Sequence, residues 1–489
     1  MMFAIGRPQR PPRHHDGGEL DGRQTGRSAV GRSAKVVGVT DADIAAADTA
    51  ALARLARLVA VPTVSKAEVE TTDWAAFSRF REVLAECYPL VHTTLAVELV
   101  ASHTILMHWR GRSDDAPAVL MAHQDVVDPG EVDAWSHPPF AATLVGDGAD
   151  RALWGRGAID DKGSLAGILE AVEHQISEGF TPSRDVWLVF GHDEETHGTG
   201  AQAAAALFAE RGIRPEFVLD EGGAIVSGFL PGVAAPIAAI GLAEKGVAFV
   251  ELSVQEAGGH GSTPPPISAI GRLARAIARM DAKPFPSKFT PTTRAMFEAA
   301  GSGATGVLGA LYRNARVTGP VLRRALVSAG PEGEAMTRTT RVATQIEGGH
   351  AQNAIPERAR ATVNVRVLPG ETLAGAAEHI RRAVNDSLVT VRLVDGSEPS
   401  PVSPPSGPGW DLIAAALAEV VPEAIPTPYT QTGATDSRRF TGICERVYRF
   451  TPFDLSTAER GALHAVNERI GVSSWLRGVR VYRAIVGRL

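Results

Sequence analysis

Five short segments of the chain place histidine or carboxylate residues directly after a predicted buried strand or beside a glycine-rich turn. The segments are 118–125, 155–163, 185–195, 216–223 and 463–468. Imidazole nitrogens and carboxylate oxygens are the ligands from which proteins build two-cation hydrolytic centres. The types and spacing of these residues therefore predict a metal-dependent hydrolase.

The first two segments supply the candidates His123, Asp125 and Asp160. Side chains two residues apart on a strand point the same way, so His123 can hold a metal while Asp125 accepts its second ring N–H. Taken alone, this pair is more commonly a structural histidine with its partner. Glycines on both sides of Asp160 predict a turn that leaves one carboxylate free to bridge two cations. The alternative there is an aspartate that caps the following helix.

The remaining segments supply Glu194, Glu195, Glu221 and His464. Three consecutive acids at 193–195 follow a predicted buried strand, an arrangement that is unfavourable unless cations neutralise some of them. A solvated acidic turn is the alternative interpretation. His464 lies in a segment near the C-terminus, and as a single residue it is equally consistent with a surface histidine.

Two neighbouring zinc ions need one bridging carboxylate, and each also needs a histidine and a further carboxylate. In this inventory Asp160 bridges, His123 and Glu221 complete one site, and Glu195 and His464 complete the other. Glu194 adjoins a ligand without being one. It is therefore the predicted general base.

The motifs, their order and their spacing resemble the metallopeptidase-20 family, which includes aminoacylase, glutamate carboxypeptidase, carnosinase and succinyl-diaminopimelate desuccinylase. The segments around Asp436 and His464 are most similar to the branch of Gly-X carboxypeptidases and N-acyl-amino-acid hydrolases. The resemblance implies the same five ligands, with Asp125 and Glu194 in catalytic roles. Either Asp220 or Glu221 could be the ligand in its segment; Glu221 is preferred because it directly precedes a glycine.

The resemblance implies hydrolysis of an amide bond next to a free carboxylate, in an N-acyl amino acid or a short peptide. A hydroxide bridging two Zn²⁺ ions would attack, and Glu194 would transfer the proton. Mn²⁺ or Co²⁺ would also suit these ligands. A dipeptidase that requires a free amino group, and a metal-binding protein without catalysis, are the alternatives.

Three further residues are candidates for contacting the substrate. His260 and Asn353 could polarise the scissile carbonyl, because a tetrahedral intermediate needs donors directed at its oxyanion. Arg366 could bind a substrate carboxylate with its two-pronged guanidinium. Each also has a structural interpretation: His260 and Asn353 could stabilise turns, and Arg366 could face solvent from a strand.

Alternating strand and helix patterns predict an α/β fold, in which helices flank a mixed sheet that carries the two-zinc site. Residues 37–244 and 397–489 form the predicted catalytic domain. Residues 245–396 are predicted to form an inserted, smaller α+β lid or dimerisation domain. Within it, residues 283–340 form an insertion whose role the sequence does not indicate. Residues 1–36, rich in Arg, Gly and Pro, are predicted to be disordered.

Composition and cysteine content restrict the expected partners and the expected location of the protein. The 489 residues carry a net charge of −6, which argues against a nucleic-acid or anionic-membrane partner. No apolar stretch is long enough to span a bilayer. Cys87 and Cys444 are the only cysteines, so no disulfide framework exists and a cytoplasmic location is the simplest expectation. A small-molecule substrate is expected, and a homodimer through the inserted domain is possible.

Overall fold

The computed structural model describes residues 41–489, with side chains from residue 45 onward. The predicted disordered segment 1–36 lies outside the described residues. Residues 47–489 form one compact unit.

The strands, in chain order, are β1 (Ala96–Val100), β2 (Thr104–Trp109), β3 (Ala118–His123), β4 (Thr143–Val145), β5 (Ala152–Trp154), β6 (Val186–Gly191), β7 (Phe217–Asp220), β8 (Ile225–Val226), β9 (Ile237–Glu244), β10 (Gly246–Gln255), β11 (Gly259–His260), β12 (Thr340–Gly348), β13 (Ala354–Ile355), β14 (Arg358–Val367), β15 (Val389–Ser397), β16 (Ile425–Gln431), β17 (Val447–Arg449) and β18 (Arg469–Gly471).

The α-helices are α1 (Asp41–Val59), α2 (Trp74–Cys87), α3 (Pro89–Thr94), α4 (Lys162–Ser177), α5 (Thr199–Glu210), α6 (Ala269–Asp281), α7 (Pro291–Ala300), α8 (Gly306–Arg313), α9 (Ala315–Ser328), α10 (Pro331–Ala335), α11 (Leu373–Val384), α12 (Pro408–Val420), α13 (Thr457–Arg460) and α14 (Val472–Val486).

The larger sheet is mixed, with strand order β1-β2-β6-β3-β7-β17-β9-β16 and β8 paired to β9. Its centre is parallel, because β6, β3, β7 and β17 all run in the same direction. Strands buried on both faces need apolar residues at every position, and β3 and β6 are fully buried along their whole length. The predicted helix-flanked mixed sheet is therefore confirmed.

Alternate residues of the central strands serve two different cores. Val119 and Met121 of β3 pack with Phe208 of α5 on one face. Leu120 packs with residues such as Leu165 of α4 on the other face. This division follows from the twofold periodicity of strands, which sends successive side chains to opposite faces. Packing on both faces thus fixes the sheet and the relative positions of its strand ends.

A separate antiparallel sheet has the order β12-β14-β10-β15. Helices α6 and α11 cover one face, where residues such as Val250, Val363 and Ile380 form a core of their own. No helix of the described chain covers the other face. A small sheet with helices on one side agrees with the α+β unit predicted for this region.

The insertion 283–340 folds into helices α7 to α10. Apolar residues of these helices, including Met296, Phe297 and Tyr312, belong to the core of the larger sheet rather than to that of the small sheet. The Tyr312 hydroxyl also donates to the main-chain oxygen of Pro231, 2.8 Å away. These helices therefore extend the larger body, a packing choice that the sequence pattern did not reveal.

The described residues bear on the expectations about disulfides and membrane-spanning segments. Cys87 and Cys444 are both buried and free. None of the helices in residues 41–489 combines the length and apolarity that crossing a membrane requires.

Candidate metal centre

The central parallel strands bring three of the predicted segments to one edge of the larger sheet. His123 is the last residue of β3, Glu194 and Glu195 follow β6, and Glu221 follows β7. Because the carboxyl ends of parallel strands meet at the same edge, these side chains converge there. Open α/β sheets place their ligand sites at this edge.

Two other segments complete the cluster. Asp160 lies in the turn before α4, and His464 lies in the turn after α13. One carboxylate oxygen of Asp160 is 3.0 Å from Nε2 of His123, and the other is 3.0 Å from Nε2 of His464. Oε2 of Glu195 is 3.2 Å from the same His464 nitrogen. Each oxygen of Asp160 therefore faces a different histidine, which is the arrangement that a bridging carboxylate requires.

One atom from each of His123, Asp160 and Glu195 lies within 4.8 Å of the others, close enough to surround one cation, although the sequence assigned His123 and Glu195 to separate cations. Asp160, Glu194, Glu221 and His464 line a cavity of about 180 Å³ beside them. The structure thus brings together all five predicted ligands and the predicted base at one site.

The electrostatics of the site fit divalent cations. Burial, reinforced by neighbouring carboxylates, raises the pKa of Glu194 and Glu221 well above its usual range. Oε1 of Glu195 is buried without a hydrogen-bond partner. Crowded, buried acids with an unsatisfied oxygen are costly in the absence of compensating positive charge. Two divalent cations would supply that charge.

Without a metal, the neighbouring carboxylates favour the protonated forms of the two histidines. Hydrogen bonds to Asp160 and then Glu195 raise the pKa of His464 to about 10. Although burial opposes it, hydrogen bonds to Asp125 and Asp160 raise the pKa of His123 as well. Because only neutral imidazole is a ligand, metal binding at this site must displace these protons.

The choice between Asp220 and Glu221 depends on where each side chain points. The carboxylate of Asp220 accepts the main-chain N–H of Glu221 at 2.9 Å and that of Ser437 at 2.8 Å. Glu221, by contrast, lines the cavity. The hydrogen bonds of Asp220 stabilise the backbone, and this difference supports Glu221 as the ligand.

Asp125 differs from its prediction in one respect. The Nδ1 atom of His123 is 3.0 Å from the main-chain oxygen of Asp125 and 3.4 Å from its carboxylate, so the main-chain oxygen is the nearer acceptor. The Asp125 carboxylate instead accepts the N–H groups of Glu194 and Glu195, each at 3.2 Å, and the Ser65 hydroxyl at 2.7 Å. Asp125 therefore orients both the histidine and the acidic segment after β6.

Sequence reasoning assigned no role to Glu468, which is fully buried. Its carboxylate accepts the main-chain N–H groups of Gly157, Ile159 and Asp160 at 3.0, 2.8 and 3.2 Å, and pairs with Arg156 at 2.7 Å. It thus holds the turn that carries Asp160. The sequence feature that could have identified Glu468 is its position in the His464 motif, four residues after that histidine.

We expect Glu468→Gln to weaken metal binding by about 10- to 100-fold, the usual cost of losing a group that orients a ligand. The amide keeps one acceptor oxygen, but its NH₂ group would face N–H donors that the second carboxylate oxygen accepts, and the charge opposite Arg156 is lost. Isothermal titration of the metal-free protein with Zn²⁺ measures the effect. Glu210→Gln, at an exposed position of α5, is the control, and unchanged affinity in Glu468→Gln would contradict the expectation.

The three predicted substrate contacts lie outside the cavity lining. His260 is exposed in β11, where its Nδ1 is 2.8 Å from the Ser262 hydroxyl. Asn353 adjoins it, since the main-chain oxygen of Asn353 accepts the Gly261 N–H at 2.8 Å. Arg366 is in β14 of the small sheet. The structure therefore brings His260 and Asn353 together, at a place separate from the metal ligands.

The fold and the site define a class of protein: a hydrolase of α/β architecture whose two histidines and clustered carboxylates can hold metal ions. Peptidase family M20/M25/M40 matches residues 119–488, so the chain belongs to that family. It is therefore an enzyme of the metallopeptidase and amidohydrolase type.

Individual relatives agree with this membership. Probable carboxypeptidase S-like 2 of Dictyostelium discoideum is 34% identical, over 88% of this chain and 84% of the relative. The N-fatty-acyl-amino acid synthase/hydrolase PM20D1 of Homo sapiens is 34% identical, over 85% and 83%. The M20 family metallo-carboxypeptidase Sso-CP2 from Sulfolobus solfataricus has the same fold, with a TM-score of 0.65 and 17% identity over 89% of this chain and 98% of that one.

Proposed function

We propose that the protein hydrolyses the amide bond of N-acyl amino acids or short peptides that carry a free carboxylate. The observation that carries the proposal is the cavity in which Glu194, itself outside the ligand set, lies beside Asp160, Glu221 and His464. A site that only stored metal would have no need of an acid beside its ligands. The names of the relatives support the substrate class.

His123, Asp160, Glu195, Glu221 and His464 would hold two divalent cations. When bound, these would supply the Lewis acidity that polarises a carbonyl and acidifies water. The remaining chemistry belongs to the side chains.

Glu194 is suited to hold and move a proton. Burial is the largest cause that raises its pKa, and a higher pKa makes its carboxylate a stronger base than that of an exposed glutamate. Its main-chain N–H is fixed by Asp125 at 3.2 Å, which limits where the side chain can reach. Glu194 would accept a proton from the attacking water and give it to the leaving nitrogen.

We expect a chelator-treated sample to lose amide hydrolysis, and added Zn²⁺ to restore it. The assay follows amine release from a panel of N-acyl amino acids with short and long acyl chains, and from free dipeptides, alongside elemental analysis. About two metals per chain with release from the N-acylated compounds would support the proposal. Metal without turnover of any compound would contradict it, and release from free dipeptides alone would favour a dipeptidase.

Several finer points stay predictions. Zinc is the expected metal, with manganese and cobalt as alternatives, and elemental analysis of the purified protein distinguishes them. His260 of β11 and Asn353, which directly precedes β13, are proposed to contact the scissile carbonyl, although neither lines the cavity. Dimerisation through residues 245–396 and a cytoplasmic location are likewise untested predictions.

A further inference from the structure

One polar side chain in the wall of the metal cavity is not used by the site described above. It belongs to Gln431, the last residue of β16, which lines the cavity together with Glu194 and Glu221. Its side-chain amide makes no hydrogen bond to another residue of the described chain. An amide offers two N–H donors and one acceptor oxygen, so this group is available to a ligand that enters the cavity.

The main chain of Gln431 is held firmly in the larger sheet. Gln431 pairs with Glu244 of the parallel strand β9, and its main-chain oxygen accepts the N–H of Lys245 at 3.0 Å. Glu244 and Lys245 are both fully buried. The side chain therefore extends into the cavity from a rigid strand, which positions a functional group more precisely than a loop does.

Two glycines of the cavity wall leave room for this amide. A Cβ atom added to Gly222 would lie 3.3 Å from Nε2 of Gln431, and one added to Gly433 would lie 3.7 Å from the same nitrogen. Gly222, with a φ of +130°, directly follows the predicted ligand Glu221. A glycine at position 222 thus lets the Gln431 amide lie close to the turn that carries this ligand.

Gln431 is also the main source of hydrogen-bond donors among the side chains of the wall. The other lining residues are carboxylates, apolar residues, glycines, Thr451 and the predicted metal ligand His464. The hydroxyl oxygen of Thr451 accepts the main-chain N–H of Gly222 at 3.3 Å. Apart from the His464 imidazole, Gln431 therefore provides the only side-chain N–H groups of the lining.

Amide hydrolysis creates a need for such a donor. When the oxygen of the attacking water bonds to the carbonyl carbon, Glu194 would take the water proton and the C=O π electron pair would move onto the carbonyl oxygen. The carboxylates of the wall repel this new negative charge, and a donor directed at it lowers the barrier. His260 and Asn353, which the sequence predicted for this role, do not line the cavity.

We propose that Gln431 is a further catalytic residue, whose side-chain N–H donates to the carbonyl oxygen of the substrate and binds it more strongly as it becomes negative. The inference rests on the proposed function, because it concerns the bond that the proposed reaction breaks. A neutral amide suits this position. An arginine or lysine would pair with Glu221 and oppose the binding of metal cations.

The test measures Gln431→Met with the fastest N-acyl amino acid of the panel and with its phosphinate analogue, in which a tetrahedral phosphorus replaces the scissile carbonyl carbon. Methionine has a similar length but no N–H. We expect kcat to fall by about 10²-fold, the usual cost of losing one oxyanion donor, with KM and metal content near the wild-type values. The Ki of the phosphinate should rise by a similar factor, because the analogue resembles the tetrahedral intermediate. Gln202→Met, at an exposed position of α5, is the matched control.

The outcomes separate this inference from the function on which it rests. If the wild type hydrolyses no compound of the panel, the proposed function is wrong and the inference fails with it. If the wild type is active and Gln431→Met keeps its kcat, only the inference is overturned. A lower kcat with an unchanged Ki would overturn it too, and so would a loss of metal, since Gln431 would then act by positioning Glu221.

A second variant keeps the inference testable if Gln431→Met does not fold. Gln431→Glu preserves the shape of the side chain but replaces its N–H donors with an acceptor oxygen. A loss of kcat at wild-type metal content in this variant would support the inference, and any other result would overturn it.

Discussion

Glu194→Gln is expected to reduce kcat by about 10³-fold, within the range typical of a lost general base, while leaving the metal content at the wild-type value. The reason lies in the arrangement of the two neighbouring glutamates. Glu195 is 3.2 Å from the His464 nitrogen, among the ligands, whereas Glu194 lines the cavity and makes no such contact. Steady-state assays give kcat, and elemental analysis gives the metal content.

The adjacent variant Glu195→Gln provides the sharpest comparison, because it removes one charge at the next position. It should lose metal as well as activity, whereas Glu210→Gln on the surface of α5 should change neither. If Glu194→Gln lost metal to the same extent as Glu195→Gln, Glu194 would be a ligand and the proposed proton transfer would be wrong. Wild-type kcat in Glu194→Gln would also exclude it as the base.

Asp160→Asn is expected to have the second large effect, a loss of metal at both positions together with activity. Each oxygen of Asp160 faces a different histidine, at 3.0 Å in both cases, which is the position that a bridging ligand occupies. An asparagine offers one neutral oxygen and an amide that is not a ligand. Losing several kcal/mol of cation-dependent stabilisation corresponds to about 10³-fold or more in kcat.

Calorimetric titration with Zn²⁺ and circular dichroism together test this expectation. The secondary structure of Asp160→Asn should stay intact, because Asp160 holds the turn through its main-chain N–H, which Glu468 accepts at 3.2 Å. Asp150→Asn, an exposed position, serves as the control. Binding of two Zn²⁺ ions with near wild-type affinity in Asp160→Asn would remove the bridging role from this residue.

Much of the fold and the metal centre could be predicted from the sequence. Uninterrupted apolar stretches predicted the central strands, and the acids and histidine directly after them predicted ligands at a common edge, since parallel strands end together. The small antiparallel sheet with two helices on one face was predicted from its periodicity. These inferences succeeded because they depend on local pattern and on the geometry of single elements.

Contacts between distant segments could not be predicted in the same way. The sequence preferred Glu221 over Asp220 only because Glu221 precedes a glycine, and the structural reason is a hydrogen bond to Asp220 from Ser437, more than 200 residues away in the chain. The second ring nitrogen of His123 was expected to reach the carboxylate of Asp125, and the structure places the main-chain oxygen nearer. Neither distance is encoded in the order of residue types alone.

The sequence by itself therefore determined which atoms are available as ligands, which strands are buried and which family the motifs resemble. Only the tertiary structure decided how the turn of Asp160 is held by Glu468, and that helices α7 to α10 join the larger core. The physical reason is that side-chain type and periodicity are properties of a segment. Hydrogen bonding and charge balance, in contrast, arise only when remote segments share one buried space.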